Sequence, residues 1–299
     1  MMREQGGGVK LIPCAGAGPA GCTFREIVPL QICPIRILSA ADPFEKVNAS
    51  GQQKPKVAVI MPARNSAKTL VSTYHAIPKG CIDEVILVDN KSRDETVQLA
   101  EELGIKVVRH PSDRGYGGSL KTCLTTALEA GADLIVELHP DGQYNTELIP
   151  DLLAKAHEKN YGMVMGSRFI PPKRALEGNM PLWKFVGNRI LTRVNGWLLG
   201  VQMAEFHTGY RVYNAQFVRS VPYQNNSDDY LFSFEIIAQC VYFGYPIAEI
   251  PAFSRYFKEA SSNNFTGTIK YALGTLKASV QFRLHKMGVV KFAIFEPKS

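Results

Sequence analysis

The residues best suited to chemistry are His139-Pro140-Asp141-Gly142-Gln143, which follow the apolar run Leu134-Ile135-Val136 by way of Glu137 and Leu138. His139, Asp141 and Gln143 alternate, so an extended chain brings an imidazole nitrogen, a carboxylate oxygen and an amide oxygen together. All three are acceptable ligands for Mg²⁺ or Mn²⁺, ions that keep positions for water and substrate phosphate. A cation there could bridge a diphosphate. The same residues would also form a turn in which Asp141 and Gly142 serve only the backbone.

Other candidates carry paired readings. Asp89 directly follows Val88 and can accept from a ribose or a base amide; it can equally close an Asx turn, with Asp94 capping the next helix. Arg114-Gly115-Tyr116-Gly117-Gly118-Ser119 precedes a helical pattern, where a glycine-rich entry lets backbone amides approach phosphate, yet it is neither G-x-G-x-x-G nor a P-loop. His207 reads as a general base or as a histidine satisfied beside a turn. Asp228 and Asp229 suit the start of a helix over Tyr230–Phe243. Glu235 falls inside that helix among Phe232, Ile236, Ile237 and Cys240, and an acid turned toward a core needs a basic partner or a task.

Short apolar strands at Val57–Met61, Glu84–Val88, Lys106–Val108, Asp133–Leu138 and Met163–Gly166 alternate with helical patterns at Ala67–Ala76, Glu95–Leu103, Leu120–Ala130 and Thr146–Glu158. That alternation predicts βαβ units and a mostly parallel sheet covered on both faces. In such sheets ligands sit beyond the carboxyl ends of the strands, where the segments above fall.

Residues 1–55 hold Gly6-Gly7-Gly8 and several prolines without sustained periodicity, and read as a loose leader ahead of a 56–260 domain. In the tail, 261–299, Ile269, Leu273, Leu276, Val280 and Leu284 recur at helical spacing over Thr266–Met287, interleaved with Lys270, Lys277, Arg283 and Lys286. Such a basic amphipathic helix is either a lid on the core or a segment lying on anionic lipid.

The chain's 45% apolar and 20% charged residues exclude a disordered or collagen-like protein, and no run of apolar residues is long enough for a bilayer span. The net charge of +7 is concentrated near the end, where Pro251–Ser299 holds eight basic and two acidic side chains. Positive potential there suits nucleic acid, anionic lipid or a phosphorylated substrate. The six cysteines show no zinc or C-x-x-C spacing and read as reduced thiols of a cytoplasmic protein, Cys123 and Cys240 as small buried hydrophobes.

Taken in order, Val59-Ile60-Met61-Pro62-Ala63-Arg64-Asn65, Val88-Asp89-Asn90-Lys91-Ser92-Arg93-Asp94-Glu95-Thr96, the Asp141 loop, Gly166-Ser167-Arg168 and His207-Thr208-Gly209-Tyr210-Arg211 resemble glycosyltransferase family 2. The nearest branch is the polyprenyl-phosphate (dolichol-phosphate) sugar transferases, and the resemblance runs from about Val57 to Arg255. It implies an α/β fold of GT-A type, a nucleotide-diphosphate sugar donor, an acceptor other than nucleic acid, and a divalent metal at His139, Asp141 and Gln143. His139 stands where the family has its first Asp, which removes a negative charge from the metal site. Pro62, Ala63, Asn65, Asp89 and the glycine segment at Gly118 would border the nucleotide. Arg168 and Arg189 would face an acceptor phosphate, and Glu205 takes the place of a usual Asp.

The implied reaction is an inverting transfer to a polyprenyl phosphate, carried by Asp141, Arg168, Arg189, Glu205 and Glu235, at the cytoplasmic membrane face if contact with lipid is made. A hydroxyl acceptor would instead need a base such as Glu205, Asp228 or Asp229. The rivals from other classes are a nucleotidyltransferase, whose glycine-rich, lysine-bearing signature is missing near the first strand, and an inactive nucleotide-sugar-binding module.

Overall fold

A computed structural model describes residues 54–254 and 265–297. The expected leader therefore lies outside the described residues up to position 53, as do Cys14, Cys22 and Cys33. Cys81, Cys123 and Cys240 are buried free thiols.

In chain order the elements are β1 (Val57–Ala63), α1 (Ala67–His75), β2 (Glu84–Asp89), α2 (Thr96–Glu102), β3 (Lys106–Arg109), α3 (Gly115–Glu129), β4 (Leu134–Glu137), α4 (Ile149–Glu158), β5 (Met163–Ser167), α5 (Arg174–Glu177), α6 (Leu182–Leu199), β6 (Arg211–Asn214), α7 (Ala215–Ser220), α8 (Phe232–Tyr242), β7 (Ile247–Pro251) and α9 (Phe265–Lys286). The strands form one mixed sheet in the order β3-β2-β1-β4-β6-β5-β7. All pairings are parallel except those of β6, which runs antiparallel to β4 and β5.

β1 shows why apolar runs become central strands. Ala58 and Ile60 join the core under α3 and α8, while Val57, Val59 and Met61 join the core under α1 and α4, so both faces are covered and every position favours an apolar residue. Register then sets the site. Ala63 pairs with Asp89 and Ile60 with Glu137, which brings the ends of β1, β2 and β4 side by side. The antiparallel β6 places Arg211 directly opposite Glu137.

Two elements differ from expectation. α3 begins at Gly115 rather than Leu120, so the glycines form its first turns. α9 packs on the body, as the first of its two readings has it, but only in part: Ala278 and Phe282 are buried in the main core, and burying a phenylalanine of that kind contributes about 2 kcal/mol. The stripe expected to cover the core does not all do so, because Ile269, Leu273 and Val280 point outward.

Candidate active site

A cleft of about 490 Å³ opens at the carboxyl ends of β1, β4 and β5. Its walls include Pro62, Ala63 and Arg64, then His139, Asp141 and Gln143, then Arg168. α6 adds Lys184 and Asn188, the loop before α8 adds Asp229 and Tyr230, and α9 adds Tyr271.

Asp141 closes its own turn: Oδ1 accepts the Gln143 N–H at 3.1 Å and Oδ2 accepts Gln143 Nε2 at 2.8 Å. Two oxygen-bearing side chains thus stand on one edge of the cleft. Their chemistry fits Mg²⁺ or Mn²⁺ drawing its remaining ligands from water and substrate phosphate, not a cage made of protein. Among the described residues no group of three His, Cys, Asp or Glu forms such a cage.

His139 commits its Nε2 to neighbouring side chains. Its Nε2 lies 3.1 Å from Glu137 Oε1 and 3.0 Å from the Tyr116 hydroxyl. Burial pulls its pKa down, but the bonded carboxylate of Glu137 outweighs that and holds it above the ordinary histidine range. With Nε2 so engaged, a metal could meet this ring only through Nδ1. Glu137, fully buried at the end of β4, also accepts from the Tyr116 hydroxyl at 2.8 Å and from Tyr213. Burial would raise its pKa, yet His139, Arg211 and Tyr213 together bring it below the usual carboxylate value. Sequence reasoning passed over Glu137, though a carboxylate in an otherwise apolar central strand was the signal.

Arg168 reaches the cleft from the end of β5. Glu205 accepts from its backbone N–H at 2.8 Å, from Nε at 2.7 Å and from Nη2, and Nη2 also donates to the His207 carbonyl at 3.0 Å. Behind Glu205, the carboxylate of Glu249 on β7 accepts the Ala204 and Glu205 N–H groups at 2.7 and 2.9 Å. Burial pushes the Glu249 pKa up to about 7. Beside Arg168 and Arg64 the cleft has a further cation in Lys184, whose pKa is lowered by burial and then by Arg168. Arg189 does not line the cleft; its guanidinium stands 6.0 Å from the centre of the Phe169 ring.

His207 lines the cleft with Nδ1 3.2 Å from the Tyr271 hydroxyl. Burial, then Arg168 and Arg211, push its pKa down to about 3, so it is neutral at physiological pH.

The glycine segment has a different task from the one expected. Gly117 and Gly118 donate their N–H groups to the Asp228 carbonyl at 2.8 and 3.3 Å, so neither amide faces a phosphate. A Cβ on Gly117 would stand 2.3 Å from the Ser227 carbonyl oxygen. Lys121 holds the same loop through Asp228 Oδ1 at 2.7 Å and the Asn226 carbonyl. From the other side Glu235 accepts Ser227 N–H at 2.6 Å and Ser227 Oγ at 2.8 Å. Glu235 is thus outside the cleft and clamps the loop carrying Asp229 and Tyr230 into it. Tyr230 stacks on Tyr116 with ring centres 4.7 Å apart.

Asp89 closes a turn, both carboxylate oxygens lying 3.2 Å from the Ser92 N–H, and the neighbouring wall of the cleft is Asn90. Asn90 donates to Asp113 at 2.7 Å and accepts the Arg114 N–H at 2.9 Å. Asn65, in the left-handed region at φ 51°, accepts the Arg93 N–H at 2.8 Å and ties the first loop to the second.

Residues 58–217 match the family model described as glycosyl transferase family 2, and the chain belongs to that family. It is a glycosyltransferase of GT-A fold. Over 226 residues it is 25% identical to the polyprenol monophosphomannose synthase of Mycolicibacterium smegmatis, covering 70% of this chain and 83% of that protein. Over 175 residues it is 28% identical to the UDP-N-acetylglucosamine–dolichyl-phosphate N-acetylglucosaminyltransferase of Methanococcus voltae, covering 53% of this chain and 69% of that one. The fold is similar to the crystal structure of glucosyl-3-phosphoglycerate synthase from Mycobacterium tuberculosis in complex with Mn²⁺, UDP and glucosyl-3-phosphoglycerate. The TM-score is 0.56 at 17% identity, over 79% of this chain and 81% of that one.

Proposed function

We propose that the cleft transfers a sugar from a nucleotide-diphosphate donor to the phosphate of a polyprenyl-type lipid, with inversion at the anomeric carbon. The observation that carries this reading is the pairing of Arg168 with Lys184 in one cleft, opposite in chemistry to the Asp141 edge. The guanidinium of Arg168, held in place by Glu205, and the ammonium of Lys184 supply the positive charge that faces the acceptor phosphate. The relatives named for polyprenol and dolichyl phosphate support the acceptor class.

Pro62, Ala63 and Asn90 border the nucleotide. Asp141 and Gln143 are the residues that would hold a divalent cation, which when bound neutralises charge on the leaving diphosphate. A phosphate oxygen of the acceptor forms the new bond to the anomeric carbon while the bond to the nucleoside diphosphate breaks, and the electron pair leaves with the diphosphate. A phosphate monoester is already anionic at neutral pH, so no side chain need remove a proton. His207, neutral and beside Arg168, adds no competing charge.

The test is transfer of labelled sugar from UDP-, GDP- and dTDP-sugars to a polyprenyl phosphate. Lys184→Ala is expected to raise the acceptor KM about tenfold while donor binding holds, since a charge-assisted bond to phosphate is worth about 1.5 kcal/mol. Equal activity of variant and parent at low acceptor concentration would remove Lys184 from the site. A second reading, transfer to a hydroxyl, is favoured by Asp229: Glu205 is bound to Arg168 and Asp228 to Lys121, which leaves Asp229 as the carboxylate of the three that lines the cleft. Transfer to a glycan hydroxyl, abolished by Asp229→Asn, would establish it.

A further inference from the structure

Tyr230 lines the cleft with 43% of its surface exposed, yet it is held in one pose. Behind it lies Tyr116 of α3, the two rings stacked with centres 4.7 Å and planes 20° apart. Tyr116 is itself anchored: its hydroxyl donates to Glu137 at 2.8 Å, lies 3.0 Å from His139 Nε2 and accepts from Ser233 Oγ at 3.4 Å. The backbone on either side of Tyr230 is pinned as well. The Asp228 carbonyl takes the Gly117 and Gly118 N–H groups, and Asp229 Oδ1 accepts the Leu231 N–H at 2.9 Å.

One face of the Tyr230 ring is thus covered by Tyr116, and the exposed area belongs to the other face and the rim. A ring kept rigid and kept in water has lost rotamer freedom without gaining full burial. Contact with a ligand turns both to use, because the ring presents a large apolar area with a negative π face at little further cost in ordering.

The place of the stack selects the ligand. On one side Tyr116 meets His139, two residues before Asp141 on the edge assigned to the diphosphate. On the other, Asp229 stands 3.9 Å from Lys270 of α9, and Tyr271 of the same helix meets His207, whose carbonyl accepts from Arg168. The ring therefore stands between the edge for the leaving diphosphate and the cations that face the acceptor phosphate. The group that passes between those two is the sugar. A pyranose carries its hydroxyls around the rim and turns a face of C–H groups outward, their hydrogens made positive by the attached oxygens, which complements a negative π face.

We propose that Tyr230, backed by Tyr116, is the platform on which the pyranose ring of the donor lies, so that it favours a sugar nucleotide over the bare nucleotide. The proposal rests on the sugar-nucleotide donor of the reading above.

The test is calorimetric binding, with Mn²⁺ throughout, of UDP-glucose, GDP-mannose and dTDP-glucose, each against its own nucleoside diphosphate. Base, diphosphate and cation then cancel within each pair. For the pair that binds, Tyr230→Ala should weaken the sugar nucleotide about fivefold and leave the nucleoside diphosphate unchanged. Tyr230→Phe, which keeps the ring, should bind as the parent does. Tyr230→Leu, which keeps apolar bulk without a π face, should resemble the alanine variant and covers the case in which alanine lowers the thermal midpoint. Equal weakening of both members of the pair assigns the ring to the base or to the shape of the loop and overturns the platform. So does a phenylalanine variant as weak as alanine, or a leucine variant as tight as the parent. A parent chain that binds none of the six ligands removes the donor reading and the platform with it, whereas a sugar nucleotide bound equally by parent and all three variants removes the platform alone.

Discussion

Glu205 holds Arg168 at two places at once, accepting the backbone N–H at 2.8 Å and Nε at 2.7 Å, so main chain and guanidinium are fixed by one carboxylate. Glu205 is fully buried and Arg168 nearly so. The longer Glu, where the family resemblance leads one to expect Asp, does not enter the cleft; it acts through the arginine. Glu205 is therefore a positioning residue.

Removing that carboxylate leaves a cation almost out of water without a partner. Glu205→Gln is expected to cost about 3 kcal/mol of unfolding free energy in urea titration. At temperatures where the variant is still folded, the acceptor KM should rise more than the donor KM. A parallel rise in both, or a lowered kcat with both unchanged, would place Glu205 outside acceptor binding.

Asp141→Asn keeps the turn, because an amide oxygen can still accept the Gln143 N–H, but it removes the charge. A donor nucleotide that binds the folded chain with Mn²⁺ should raise the parent's melting point by about 5 °C at saturation. In the variant the manganese-dependent part of that rise should vanish and the metal-independent part remain. Equal shifts in both proteins would move the cation away from Asp141.

The parallel half of this fold was legible because strands buried on both faces are mostly apolar, as β1 shows at every position. β6 was not, since its four residues include Arg211 and Asn214, and the burial of Arg211 depends on Glu137 and the strands on either side. The site divides similarly. Asp141 and Arg168 were marked by standing in the segments that follow strands, whereas Lys184 was missed in favour of Arg189. Five residues along a helix is a rotation of about 140°, so the two cannot share a face, and only the packing of α6 decides which meets the cleft. Glu249 gave no signal, because its partners Ala204 and Glu205 lie far away in sequence.

Gly117 and Gly187 both sit in helices, yet alanine should act oppositely at the two. At Gly117 the new Cβ would lie 2.3 Å from the Ser227 carbonyl oxygen and 2.8 Å from that of Asp229, both backbone atoms that cannot step aside cheaply. Gly117→Ala should cost about 3 kcal/mol and displace the loop bearing Asp229 and Tyr230. A Cβ at Gly187, on α6, meets nothing within 4 Å. There alanine should stabilise by about 0.5–1 kcal/mol through helix propensity. Denaturant unfolding of both variants reads the contrast.

Glu249 makes stability depend on pH. Its pKa rises from 4.5 to about 7, first through burial and then through the neighbouring Glu205, against the pull of the Ala204 and Glu205 N–H groups. In the unfolded chain it ionises near the ordinary value, so between that value and about 7 the unfolded state has released a proton that the folded state retains. The contribution is fully present below the unfolded pKa and is lost as pH rises through the folded one. The loss is on the order of 3 kcal/mol across that window. Unfolding free energy measured at about pH 5 and about pH 8 should fall for the parent chain. Glu249→Gln cannot ionise, so its fall should be smaller by roughly that amount, even though its amide nitrogen fits the two N–H donors less well and lowers stability at the acid end. An identical fall in both proteins would assign the pH dependence to another group.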